Sequence, residues 1–389
     1  MLLWRMKIDF DTIIDRTVSN AEKYSKREEL FGTKDILPMW VADMDLASPS
    51  FVIQAIKERL NHPILGYEEM PNSAFQAQIE WIKEHYNVEV QREMMLYSPS
   101  VVTSINMAIE AFSNKGDEII IQTPIYPPFI SSVLLHKRNA ILNPLKQDNN
   151  SYKMDFVDLE SKITSKSKMI LLCSPHNPTG RVWRKKELEK LLFIAKKHKL
   201  MIISDEIHSD LTYKPHIPLH TLSNSVITLQ GIGKTFNLSG LATSTIIIPN
   251  EKIKHHFMTT YHRYHLGEGN ILAHVAFEVA YKEGKVWLEE LKPYIQSNFA
   301  LLEALAKKYP KSITFKQPDA TFLAWIDFRQ LGLNDQQLHQ ALIKHGLGLS
   351  QGISFKEGGS GFMRMNCALS KSLMREAIKR LKDFLIKYS

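Results

Sequence analysis

Cysteine is scarce in this chain: Cys173 and Cys367 are the only two among 389 residues. Two thiols build neither a disulfide scaffold nor a cysteine-ligated zinc site, and they suit a reducing cytoplasm. Long apolar runs are also missing, and none approaches the ~20 residues that a membrane span needs. There is no internal repeat and no low-complexity tract. Positive charge is in excess, at a formal +8, but it is not clustered. Lys185, Lys186, Lys190, Lys196, Lys197 and Lys199 spread over helix faces, whereas a nucleic-acid surface gathers its lysines and interleaves aromatics. Neither nucleic acid nor membrane is therefore an expected partner, and a general attraction for anionic substrates is all the charge supports. Hydrophobic residues at 44% and charged residues at 23% describe a globular chain with room for two domains sharing a large core.

What the chain does have is a lysine in unusual company. Val226–Gln230 is a short apolar run that breaks at Gly231 and Gly233 and then presents Lys234, Thr235 and Asn237. Glycines let the backbone turn sharply and let a planar group approach. Three more apolar runs end in polar turns. Glu118–Gln122 leads to Tyr126, Lys168–Cys173 leads to Asn177, and Leu200–Ser204 leads to Asp205 and His208. Such runs read as strands buried on both faces. Between the second and third, Leu188, Leu191, Leu192 and Ala195 recur at helical spacing across 185–199. Strand, helix, strand implies a crossover and a parallel sheet, so the fold class is α/β. Ligands of open α/β sheets bind beyond the carboxyl ends of the strands, where all four polar turns would lie.

Those turns carry the groups that a pyridoxal 5'-phosphate (PLP) site requires. Lys234 is the Schiff-base candidate, and Asp205 can keep a pyridine nitrogen protonated so that the ring acts as an electron sink. Tyr126 offers a flat partner, and Asn177 and His208 offer hydrogen bonds to a ring hydroxyl. The expected helix 101–112 would hold a phosphate on the N–H groups of Val101 and Val102. Arg364, approached through Gly358, Gly359 and Gly361, has the forked shape that suits a substrate carboxylate.

Plainer readings stand beside these. Asp205 could cap a helix, Arg364 could pair with a carboxylate of the fold, and Trp40 could be a core aromatic as readily as a substrate contact. Gly233-Lys234-Thr235 matches the end of a P-loop, but Thr228 stands where that motif needs glycine. His255, His256, His262 and His265 lack the well-placed carboxylate of a metal site and read as surface or interface residues, so no metal is expected.

Taken together, the segments resemble fold-type I PLP enzymes of the aspartate-aminotransferase-like family, and within it the MalY/PatB-type cystathionine β-lyases, or C–S lyases. The matching stretches are 38–45, 66–67, 124–129, 173–182, 204–211, 234–241 and 362–366. The resemblance implies a large, mostly parallel-sheet domain with a smaller α+β domain. It implies Lys234 as the Schiff-base lysine, Asp205 as pyridinium partner, Tyr126 as stacking ring and Asn177 as ring-hydroxyl ligand. It puts Arg364 and Ala42 at the substrate. It sends Tyr67 to the phosphate of a neighbouring subunit, hence a homodimer with shared sites. Composition changes at Gly284 and Pro293, beyond which helices at 287–309, 335–345 and 371–387 and strands at 313–316 and 322–327 are expected. The division is then 1–50 joining the small domain, 51–284 as the PLP-binding domain and 285–389 as the small domain. Members of the family begin near Met6, so residues 1–5 read as an upstream extension, too short for a secretory signal.

Three departures stand out. Ser100 replaces a usual glycine, Gly231 and Gly233 replace usual serines, and Ala242 occupies a position where aminotransferases often carry arginine. The implied reaction is elimination of a thiol from cystathionine or a related cysteine S-conjugate, giving pyruvate and ammonia. An aminotransferase on the same scaffold is the nearest alternative. A regulatory binding protein is the alternative of another class.

Overall fold

The computed structural model describes residues 8–148 and 151–388. The reading of residues 1–5 falls outside them. Seven strands form the main sheet: β1 (Met95–Ser98), β2 (Glu118–Thr123), β3 (Asn139–Pro144), β4 (Ser167–Cys173), β5 (Met201–Asp205), β6 (Val226–Gln230) and β7 (Ser244–Ile247). Their spatial order is β1-β7-β6-β5-β4-β2-β3. The sheet is parallel from β6 to β3, and only β7 runs against its neighbours β1 and β6.

The continuous apolar runs are explained by burial on both faces. Ile119 and Ile121 of β2 and Met169 and Leu171 of β4 pack into one apolar cluster. Their neighbours Ile120, Ile170 and Leu172 point into the cluster on the opposite face. This is the period-two alternation of a strand with both sides filled. Two helices matter for the site. α1 (Val101–Phe112) follows β1, and Ser100 caps it, its side chain accepting the Thr103 N–H at 3.0 Å. α2 (Lys185–Lys197) is the crossover between β4 and β5 and buries Leu188, Leu191, Ile194 and Ala195.

A second, three-stranded antiparallel sheet has the order β8-β10-β9, with β8 (Leu323–Asp327), β9 (Ser350–Gln351) and β10 (Phe362–Asn366). The N-terminal segment meets this part of the chain. Leu37–Pro38 pairs in parallel with Leu347–Gly348, and the Phe10 ring packs edge-on to Trp287 at 5.7 Å.

One expectation needs correction. The segment 313–316 is not a strand of a ladder. Ile313 and Phe315 are buried in alternation, but only Thr314 bridges, to Asp327, so the segment is extended without a sheet partner along its length. The helix expected over 287–309 is present as Lys285–Lys308, and Pro293 lies inside it. Proline removes one helical hydrogen bond and leaves the carbonyl four residues back without its donor. Here Pro293 and Glu289 are both exposed, so water can serve that carbonyl.

Candidate active site

All four polar turns open on one edge of the main sheet. They line a cavity of about 790 Å³ that also receives side chains from the 40–43 segment and the second sheet. Lys234 sits in a single helical turn, Ile232–Thr235, directly after β6. Asn237 follows that turn, beyond its cap Phe236, with a left-handed φ of 56°. The Asn237 side chain accepts the Met44 N–H at 2.9 Å and donates to the Leu46 carbonyl at 2.9 Å, tying the lysine turn to the N-terminal segment. The Lys234 amine donates to the Ala42 carbonyl at 2.7 Å. Burial lowers its pKa to about 8, with Arg364 adding to the effect and Asp43 and Asp205 opposing it. An amine so placed is more readily neutral than a surface lysine.

Asp205 is the last residue of β5 and is 7% exposed. Its Oδ1 accepts the Ile207 N–H at 3.0 Å. No cation pairs with it among the described residues, and burial pushes its pKa up to about 7. The helix-cap reading is thereby set aside, because no helix follows. His208 is buried too. Burial, with the charges of Lys234 and Arg364, holds its pKa down at about 3, so the ring is neutral at pH 7. Tyr126 stands on the cavity wall, and burial raises its hydroxyl above the usual range.

Arg364 reaches the cavity from β10. Its guanidinium donates to Asn177 Oδ1 at 3.1 Å and to the Trp40 carbonyl at 2.7 Å, and it lies 5.0 Å from the centre of the Phe355 ring. It meets no carboxylate among the described residues, so the structural ion pair considered from the sequence is absent. Burial lowers its pKa to about 10, and it remains a cation at neutral pH. The register sets Ser350 of β9 opposite Arg364, and the Ser350 hydroxyl is 3.3 Å from the guanidinium.

Val101 and Val102 open α1 at the cavity edge. First-turn N–H groups of a helix have no intrahelical partner and suit an anion. Hydroxyls of Ser100, Ser239, Thr243 and Ser244 line the same end, and Thr243 Oγ1 is buried without a partner. The glycine at 231 has a packing reason. A Cβ there would lie 3.0 Å from both Cα and Cβ of Ser244, so β7 packs directly on its backbone.

Trp40 lies on the cavity wall and donates to the Lys23 carbonyl at 3.1 Å, so it belongs to the pocket rather than to the deep core. Tyr67 is the one expected site residue that the chain does not bring to its own cavity. It stands 93% exposed, with Ile64 and Leu65 exposed beside it. The four histidines of 255–265 are exposed. Cys173 was not expected at the site. It lines the cavity, and its sulfur accepts the Asn177 N–H at 3.3 Å. Its place as the last residue of β4 was the available signal.

Residues 34–381 match the model of the aminotransferase class I and II family. The chain belongs to that family. Within it, the chain is 38% identical over 387 residues to cystathionine β-lyase PatB of Bacillus subtilis, covering 97% of this chain and 100% of that protein. Among solved structures, cystalysin from Treponema denticola, which contains pyridoxal 5'-phosphate, superposes with a TM-score of 0.95 at 30% identity, covering 99% of this chain and 100% of that one. The PLP-bound C–S lyase from Staphylococcus hominis superposes at 0.92 with 32% identity, covering 98% and 99%.

Proposed function

We propose that this chain is a PLP-dependent C–S β-lyase. It releases a thiol from cystathionine or a related cysteine S-conjugate and yields pyruvate and ammonia. The observation that carries the reading is the meeting of Lys234, Asp205, Asn177, Tyr126 and Arg364 on one cavity. The full-length likeness to PatB and to two solved PLP proteins supports the cofactor and the reaction class.

The residues present fit PLP. Asp205 is a buried carboxylate without a cation, which a protonated ring nitrogen would supply. The start of α1 and the hydroxyls around it would hold the phosphate, and Asn177, His208 and Tyr126 would hold the ring. When bound, PLP supplies an electron-withdrawing ring that drains negative charge from the substrate's α-carbon.

The protein groups do the rest. Arg364 offers a forked cation without a carboxylate, so it anchors the substrate carboxylate against Ala42 and Trp40. Its bond to Asn177 fixes the anchor relative to the ring site. Lys234, with its acidity raised by burial, is a base of suitable strength to take the α-proton. Departure of the sulfur substituent from the β-carbon then balances the lost proton. Water converts the three-carbon remainder to pyruvate and ammonia. The wall of Leu30, Phe31, Trp40 and Phe355 is apolar and suits the thioether arm.

Exposed Tyr67, with the apolar residues beside it, supports a homodimer in which this tyrosine reaches the partner's phosphate site. Cytoplasmic residence rests on the two reduced thiols, both buried. No helix among the described residues is long and apolar enough to cross a membrane.

Borohydride reduction followed by peptide mapping tests the site. The chromophore should be fixed on the peptide that holds Lys234, and fixation on another lysine would remove the reading. Transamination shares the scaffold and the α-proton step. It is told apart by its need for a keto acid.

A further inference from the structure

The segment Trp40–Met44 has no regular secondary structure, yet each of its carbonyls is taken by a side chain. Trp40 accepts from Arg364 at 2.7 Å and from Ser350 at 2.8 Å. Val41 accepts from Asn366 at 2.7 Å, and Ala42 accepts from Lys234 at 2.7 Å. Asp43 accepts from Lys23 at 2.9 Å, and Met44 accepts from Asn237 at 3.1 Å. The donors come from the second sheet, from the turn after β6 and from the helix Glu22–Ser25, so this strap is where the lysine turn and the arginine strand are held in register.

Behind the strap lies a closed quartet of charges. The Lys23 side chain has no exposed surface, and its ammonium sits 2.8 Å from Asp43 and 3.0 Å from Asp45. Arg16 bonds the same two carboxylates, each at 2.6 Å. Buried ion pairs add little net stability, because the cost of leaving water offsets their attraction. A packed apolar cluster would anchor the strap as well, so the charges call for another explanation. The quartet is neutral as a whole but uneven in placement. Asp43 lines the cavity, whereas Asp45 does not. The charges that act on the Lys234 amine are Asp43 of the strap, Arg364 of β10, Asp205 of β5 and Lys23, with Asp43 the stronger of the two quartet members. His208, Tyr126 and Cys173 also line the cavity and are neutral there, and Glu22 and His339 complete its titratable lining.

We propose that Asp43, clamped by Lys23 and Arg16, is a positioning residue for Lys234. It holds the Ala42 carbonyl on the lysine nitrogen and supplies the negative charge that keeps a proton there. Substrate carboxylate and lysine proton are thereby managed by one strap, since Arg364 bonds it two residues earlier. The inference rests on Lys234 as the cofactor-bearing lysine.

Asp43→Asn and Asp45→Asn, prepared as holoenzymes, test it. Each removes one carboxylate from the same two cations, so a purely structural quartet predicts lost stability in both variants and no difference between them in the behaviour of the chromophore. The readout is the pH midpoint of the visible absorbance of the bound chromophore. The midpoint should fall by about one pH unit in Asp43→Asn, as expected for a lost neighbouring charge in a partly shielded site. In Asp45→Asn it should stay close to wild type although thermal stability drops in both. If Asp43→Asn does not fold, the double variant Lys23→Met with Asp43→Asn removes one charge of each sign and leaves no unpaired ammonium. Its midpoint should still fall, because Asp43 acts more strongly on Lys234 than Lys23 does. Equal midpoints in wild type and whichever Asp43 variant folds overturn the proposal, as do equal shifts in Asp43→Asn and Asp45→Asn. Absence of a chromophore on Lys234 in the wild type overturns instead the cofactor reading beneath it, and the proposal with it.

Discussion

Asp205→Asn should make the cofactor-free protein more stable at alkaline pH, while the PLP-loaded variant loses most of its activity. The carboxyl has a folded-state pKa of about 7 against an ordinary 3.8, and burial is the cause. A raised acid pKa means that the folded chain keeps a proton that the unfolded chain has already lost. Stability therefore falls as pH rises from about 4 to about 7, and stays lost above. The gap corresponds to about 4–5 kcal/mol at most, since each pKa unit is worth about 1.4 kcal/mol and buried sites relax. Asparagine keeps the shape and the Ile207 contact but carries no charge to desolvate. Thermal melts of cofactor-free wild type and variant at pH 5 and pH 8 read the difference. The gap between the two should be small at pH 5, where about a third of the effect is present, and widen to several degrees at pH 8, with the variant higher. Added PLP should then raise the wild type more than the variant, because only the wild type gains a cation for its carboxylate. Parallel melts at both pH values would refute the picture of a desolvated carboxylate held for a cationic ring.

Three further outcomes are expected. Lys234→Ala should lack the yellow chromophore that the wild type shows, and an absorbance spectrum after PLP addition and desalting decides it. Gly231→Ser should cost about 1–3 kcal/mol in chemical denaturation, because its Cβ would press on the backbone of Ser244 at 3.0 Å; unchanged stability would mean that β7 yields freely. Mixed dimers of Tyr67→Ala and Lys234→Ala chains, each nearly inactive alone, should regain activity through one intact site per dimer, and demonstrated heterodimers without activity would exclude shared sites.

The parallel sheet and its four turns were legible in the sequence because strands buried on both faces leave unbroken apolar runs, as in Lys168–Cys173. The polar residue that ends each run was legible with them. Arg364 was legible through its glycine-rich approach. What local pattern could not show was contact between distant segments. The Lys234–Ala42 bond spans 192 residues, and nothing near Ala42 announces a carbonyl aimed at a lysine. Ile313–Phe315 carried a true strand alternation, yet whether a partner runs alongside depends on the rest of the fold. The helix over 287–309 was legible despite Pro293, because a proline on the solvent face of a long helix is tolerated. The departure from serine at 231 had no local reason, and the backbone of Ser244 packed against that glycine supplies one.

The central claim is elimination at this site, and product analysis with cystathionine tests it most directly. Purified holoenzyme is incubated with cystathionine and no keto acid, and thiol, pyruvate and ammonia are measured over one time course. The account predicts all three in equal amounts, with none from Lys234→Ala. Turnover that begins only when a keto acid is added, yielding a new amino acid and no thiol, would contradict it.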